Sequence, residues 1–175
     1  MGRFDSRGAL YVAELELLPH DEYVRQLPQK RMSAGVVIRD ASGRVLLVEP
    51  SYKAGWEIPG GVVEDDEAPW VTAVRETREE IGLVRDVGRL LVVDHVPAES
   101  DSLPERMAFL FDAGTIDPAD VGRLTFGAEI VSAALCEPSE VRAKVAPVLA
   151  DRLTAALHAL AAGGTALCVR GKPTG

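Results

Sequence analysis

Apolar positions fall into short unbroken runs in the first half of this 175-residue chain and into helical spacing near its middle and end. Residues 32–39 (MSAGVVIR) and 45–48 (VLLV) read as two strands, joined by a hairpin loop at 40–43 (DASG) that has turn chemistry. Residues 49–55 form a loop, and 56–58 a short strand leading into Pro59-Gly60-Gly61, a turn where backbone can approach an ion or a phosphate. Residues 68–81 are predicted to be helical. Pro69 suits the first turn, Asp65, Asp66 and Glu67 favour its positive end, and Gly82 stands at C′. Trp70, Val71, Val74 and Ile81 supply an apolar face to bury. Strands follow at 89–95 and 106–112, joined by a polar loop over 96–105, and another at 130–136. The stretch 114–127, rich in Asp, Gly and Thr, reads as a long surface connection. A helix-like run begins at Pro138, a strong Ala- and Leu-rich helix covers 148–162, and 165–169 forms a last short strand before a frayed tail at 171–175. At the other end, 1–8 reads as a flexible lead-in. Residues 9–18 suit a strand with Tyr11, Ala13 and Leu15 on one side, or a helix, and 20–27 a helical turn stopped by Pro28. There is no internal repeat, so a single domain over 1–175 is expected.

The helix at 68–81 carries the chemistry. Glu76, Glu79 and Glu80 lie at i, i+3 and i+4, which stacks three carboxylates on one face. They repel one another there and oppose the macrodipole near the C-terminal end. A cation relieves both, and hard divalent ions such as Mg2+ take oxygen ligands. Charge-rich helices are commonly just solvated faces. Against that reading, no lysine stands four residues from any of these acids, and the opposite face is apolar.

Charge sharpens the picture. Of the net −8, residues 64–80 hold −5, from seven acids and two arginines, leaving −3 for the rest of the chain. The acidity is local to the candidate site, and no basic footprint for duplex nucleic acid accompanies it. Cys136 and Cys168 have neither metal spacing nor a disulfide pattern and read as small core residues. No apolar run reaches the length of a membrane span and residues 1–8 lack a signal-peptide core, so the cytoplasm is the expected compartment.

Gly61, five residues, Glu67, seven residues, then Arg75-Glu76-Thr77-Arg78-Glu79-Glu80-Ile81-Gly82-Leu83 resembles the box of the Nudix hydrolases, G-x5-E-x7-R-E-U-x-E-E-x-G-U with U a bulky aliphatic. Every charged and glycine position agrees. Thr77, where an aliphatic is usual, is the one departure. The resemblance implies an α+β fold, an α/β/α sandwich around a mixed β-sheet. It implies Mg2+-dependent hydrolysis, with Mn2+ able to substitute, of a small-molecule nucleoside diphosphate linked to another moiety X. Nucleoside triphosphates, ADP-ribose, nucleotide sugars and dinucleoside polyphosphates are the candidate substrates, and no further signature selects among them. Capped RNA is disfavoured for want of a basic region.

By the same resemblance, Glu79 and Glu80 are direct metal ligands and Glu76 is a ligand directly or through water, with a carbonyl at Gly60 or Gly61 beside them. Arg75 orients a helix glutamate, and Glu67 is structural, pairing with Arg75. The general base is a helix glutamate or a downstream loop acid, Glu129 before Glu105. Tyr52 and Lys53 are placed to meet a base or a phosphate, Arg31 to reach a diphosphate or simply snorkel, and Trp56 to pack in the core. His20, His95 and His158 have no ligand spacing. A homodimer is open to the chain, using exposed strands or the long helix. The competing functions are a Nudix-fold nucleotide-sensing module, which would be expected to have lost box residues kept here, and a Mg2+-free acidic interaction protein.

Overall fold

The computed structural model describes residues 18–100 and 104–175, together with the backbone of two short strands. Those strands, β1 (Arg3–Phe4) and β2 (Leu10–Tyr11), pair antiparallel. The rest of the expected lead-in at 1–8, and of the strand or helix at 9–18 apart from Leu18, lies outside the described residues.

The chain continues through α1 (His20–Gln26), β3 (Arg31–Arg39), β4 (Val45–Pro50), β5 (Gly60–Val62) and α2 (Pro69–Ile81). It then forms β6 (Leu90–Val96), β7 (Arg106–Thr115), α3 (Pro118–Val121) and β8 (Ile130–Cys136). Helices α4 (Pro138–Lys144) and α5 (Pro147–Ala162) and strands β9 (Ala166–Val169) and β10 (Lys172–Pro173) complete it. Eight strands form one mixed sheet in the order β10-β9-β6-β7-β3-β4-β8, with β5 beside β3. Pairs β3–β7 and β6–β9 are parallel, and the others are antiparallel.

Helix α2 covers one face and α4 with α5 the other, which makes an α/β/α sandwich. Successive strand residues point to opposite faces, so Val36 and Ile38 pack on the α2 side and Val37 on the α5 side. In β4, Leu46 and Val48 face α2 while Val45 and Leu47 face α5. All of these are fully buried. A sheet covered on both sides needs apolar residues at both parities, which explains the unbroken runs. Each such side chain contributes about 1.5–3 kcal/mol.

The edge of β3 beyond β7 is forked. Its far end pairs with β4 at Arg39–Val45, and its near half pairs with β5 through Ser33–Val62, Ala34–Gly61 and Gly35–Gly60. Residues 56–62 fill the fork. The Val36 amide donates to the Pro59 carbonyl (2.9 Å), while Val48 and Glu57 exchange amide bonds of 2.8 and 2.9 Å.

Four expectations are corrected. The strand leading into the glycines is the glycine pair itself, since Trp56 and Glu57 make only isolated bridges to Val145 and Val48. At Gly60 a Cβ would overlap the Ala34 carbonyl, so only glycine permits this pairing. The buried face of α2 is Thr72, Ala73, Thr77 and Ile81, whereas Trp70 and Val71 are exposed. Thr77 tolerates burial because its hydroxyl donates to the Ala73 carbonyl at 2.7 Å. Within 114–127, β7 runs on to Thr115 and Asp117 caps α3, its carboxylate accepting from the Ala119 amide at 2.8 Å.

The tail read as frayed holds β10, paired with β9, and a buried carboxylate fixes it. Asp94, fully buried on β6, accepts from Arg152 Nε and Nη2 (2.9 and 2.7 Å) and from the Gly171 amide (2.8 Å), tying α5 and the C-terminal turn to the sheet. Removing one partner of a buried pair strands the other charge. Urea unfolding should therefore show Asp94→Ala destabilised by about 3 kcal/mol. Asp151→Ala, which breaks the pair with the exposed Arg142, should cost less than about 1 kcal/mol.

Candidate active site

The acidic face of α2 meets the glycine strand. Gly60 donates its amide to Glu80 Oε2 at 2.9 Å. A Cβ at Gly61 would overlap the Glu76 carboxylate, so the bare backbone makes the room that carboxylate occupies. Helix α2 starts at Pro69 with Ala68 as N-cap and stops at Gly82, in the left-handed conformation at φ 68°.

Arg75 organises the acids. Its Nε and Nη2 each donate at 2.9 Å to the two Glu67 oxygens, a fork-to-fork pair. Its Nη1 reaches Glu76 Oε1 at 2.8 Å and Glu79 Oε2 at 3.2 Å. Glu67 also accepts from the Thr72 hydroxyl (2.6 Å) and the Glu64 amide (3.3 Å), which fixes the turn into the helix.

A loop from across the sheet closes the site. The Gly127 amide donates to the Glu80 carbonyl at 3.0 Å, and a Cβ on Gly127 would overlap the Glu79 carbonyl. Two residues on, the Glu129 carbonyl accepts from the Ser51 amide at 2.8 Å. Together Arg75, Glu76, Glu79, Glu80 and Glu129 line a cleft of about 350 Å³. Glu105 is not part of it, being ion-paired with Lys30 and His95.

Burial pushes the Glu80 carboxyl up to about 7, against the Gly60 hydrogen bond and with help from the charges of Glu76, Glu129 and Glu57. Burial also raises Glu76; Arg75 opposes the rise, and Glu79 and Glu129 add to it. Glu67 moves the other way, held down to about 2 first by Arg75 and then by Thr72. The site thus gathers more negative charge than its single guanidinium neutralises. Among the described residues no three carboxylates, imidazoles or thiols converge into a ready-made ion cage. Mg2+ takes one or two carboxylates plus waters and substrate oxygens. The all-oxygen donor set fits such an ion.

Other singled-out residues are distributed differently. Lys53 pairs with Glu57 at 2.8 Å and lies 5.5 Å from the Tyr52 ring centre. With Gly35, Gly60 and Arg152 they line a second cavity, of about 230 Å³. Trp56 packs against the α5-side core with Lys144 Nζ 4.9 Å from its ring. The three histidines stand apart on α1, β6 and α5, and Arg31 stands at the start of β3. Glu57, Gly127, Arg106 and Arg152 were not anticipated. Each reaches its place through non-local pairing or packing, which leaves no local pattern to read.

Fold and site together define an α/β/α sandwich with an acid-lined cleft between a helix and a glycine strand. The NUDIX domain family model matches residues 29–157, and the chain belongs to the Nudix family. It is 35% identical over 96 residues to the CMP-5'-(N-acetyl-N-hydroxy-3-aminopropyl)phosphonate hydrolase of Streptomyces rubellomurinus, covering 52% of this chain and 47% of that one. It is 40% identical over 70 residues to the human diphosphoinositol polyphosphate phosphohydrolase 2, covering 39% of each. The chain thus spans about half or less of the length of these relatives. A NUDIX hydrolase structure from Nitrosomonas europaea superposes with a TM-score of 0.65 at 20% identity, covering 97% of this chain and 92% of that one. No helix among the described residues is long and apolar enough to cross a membrane.

Because Glu80 ionises near 7 in the folded, metal-free protein and near 4.5 when free, its charge costs stability that is fully retained below about 4.5 and lost as pH rises through about 7. Glu80→Gln keeps an acceptor for Gly60 and removes that charge. Without metal it should melt above the parent protein at pH 8, by roughly 2–4 °C for each kcal/mol relieved, and the gap should close by pH 4.5.

Proposed function

We propose that this chain is a Mg2+-dependent hydrolase that cuts the diphosphate of a nucleoside diphosphate linked to a group X, by attack of water at phosphorus. It would act as one domain in the cytoplasm on a small molecule. The observation that carries the reading is the gathering of Glu76, Glu79, Glu80 and Glu129 in one cleft, around an Arg75 already engaged by Glu67. The Streptomyces relative, named for hydrolysis of a CMP-linked phosphonate, supports a nucleotide-linked substrate.

Glu76, Glu79 and Glu80 would hold Mg2+ or Mn2+, with the Gly61 carbonyl as a further oxygen. When bound, the ion supplies positive charge against the phosphoryl oxygens. Arg75 positions Glu76 and Glu79 through its shared Nη1, and Gly60 orients Glu80. Glu129 stands on the opposite wall, exposed, and its carboxylate has no hydrogen-bond partner among the described residues. It is therefore free to take the proton of the attacking water, and we assign it as the general base.

A panel of nucleoside triphosphates, ADP-ribose, nucleotide sugars and dinucleoside polyphosphates, incubated with Mg2+ and followed by chromatography, tests the reading. Hydrolysis should need the ion and fall by at least ~10²-fold in Glu79→Gln and Glu80→Gln. Turnover that survives chelation, or survives both substitutions, would sink it. No turnover of the panel together with a Tm that Mg2+ leaves unchanged would instead favour a nucleotide-sensing module.

Glu129→Gln separates base from ligand. It should lower kcat by about 10²–10⁴-fold while leaving the Mg2+-induced rise in Tm intact, whereas Glu79→Gln and Glu80→Gln should lose both. A Glu129→Gln protein with unchanged kcat would return the base to the helix.

A further inference from the structure

Two arginines stand side by side, with no side-chain partner among the described residues. Arg31 opens β3, Arg106 opens β7, and the parallel pairing puts them in register. Register partners share a face, and the positions farther along, Val37 on β3 and Leu110 on β7, lie in the core under α5. The two guanidinia therefore project from the α5 face. Like charges directly opposite destabilise a strand pair. Yet neither side chain forms a hydrogen bond or ion pair among the described residues, in a chain with 27 acids. Lys30 beside them is already taken by Glu105, and Glu64 and Glu67 turn to Arg75. A lone surface arginine needs no explanation. Two in register, both unpaired, do.

Both line a cavity of about 660 Å³, whose far wall is the turn at 64–67. Asp65 and Asp66 lie on that wall, and neither pairs with either arginine. The cavity meets the smaller one beside Gly60 and Gly61 at Ser33 and Val62. The floor of the smaller cavity includes the small residues Ser33, Gly35 and Ala108, and Ser33 carries it into the larger one. Gly35 pairs with Gly60, and Arg31 lies four residues back along β3, about 13 Å away. A ligand whose diphosphate sits at the glycine strand can lie along this floor with its far end between the arginines.

We propose that Arg31 and Arg106 clamp a second anionic group, a phosphate or carboxylate, carried by the substrate beyond its diphosphate. This rests on the hydrolase reading and narrows its substrate to compounds with a distal anion. Paired guanidinium forks match such oxyanions, and a bound anion relieves the repulsion that the protein leaves standing.

Two pairs of ADP derivatives that differ by one phosphate test it: NADH with NADPH, and 3′-dephospho-coenzyme A with coenzyme A. Binding is measured by calorimetry on the metal-free chain, so no turnover is required. At least one phosphorylated member should bind roughly tenfold tighter than its partner. Arg31→Ala and Arg106→Ala should each erase that preference without weakening the unphosphorylated partner, and Arg→Lys at either site should restore part of it. Equal affinity within both pairs, binding of none of the four, or equal weakening of both members by the substitutions overturns the clamp. A failed clamp alongside Mg2+-dependent hydrolysis of the nucleotide panel would leave the hydrolase reading standing.

Discussion

The structure turns on the contact between a pair of strand glycines, Gly60 and Gly61, and a helix face crowded with carboxylates. Glu76 and Glu80 sit partly buried against Gly61 and Gly60, where their charge is costly. Only bare backbone comes close enough to give Glu80 an amide donor while leaving Glu76 its space. The rest of the molecule holds these two elements together. The fork in β3 seats the glycines, and Ala73 and Ile81 anchor the helix in the core behind them.

Charge is distributed to match. One guanidinium, Arg75, hydrogen-bonds three glutamates, and its two-pronged tie goes to Glu67 at the helix entry rather than to the acids of the cleft. This arrangement sets a direction for the acids without neutralising them, and so leaves an electrostatic demand that a divalent cation meets. Glu129 adds to that demand from the opposite wall, held there by Gly127 packing on the last turn of the helix. On the other face, Lys53 and Arg152 are already paired with Glu57 and Asp94, whereas the side chains of Arg31 and Arg106 have no partner among the described residues.

Much of this was legible beforehand because it is local. The spacing of Glu76, Glu79 and Glu80 sets a common helix face whatever the tertiary structure. Gly82 and Pro69 mark helix ends through their own backbone preferences, and the runs VVI and VLLV announce strands buried on both sides. The errors share a cause. Trp70 and Val71 are apolar, but only the angle at which α2 meets the sheet decides which stripe is buried, and it chose Thr72, Ala73 and Thr77. The frayed tail proved ordered because Asp94, 77 residues away, supplies the hydrogen bond that Gly171 needs.

By itself, then, the sequence determined the family motif, the acidic helix face, the strands and the locality of the charge, since each depends on neighbours within a few positions. Tertiary structure alone decided that Gly60–Val62 is a strand, that Glu129 joins the cleft and Glu105 does not, and that Arg31 stands beside Arg106. Those facts depend on sheet register and on loop packing between distant segments, and no local preference encodes either.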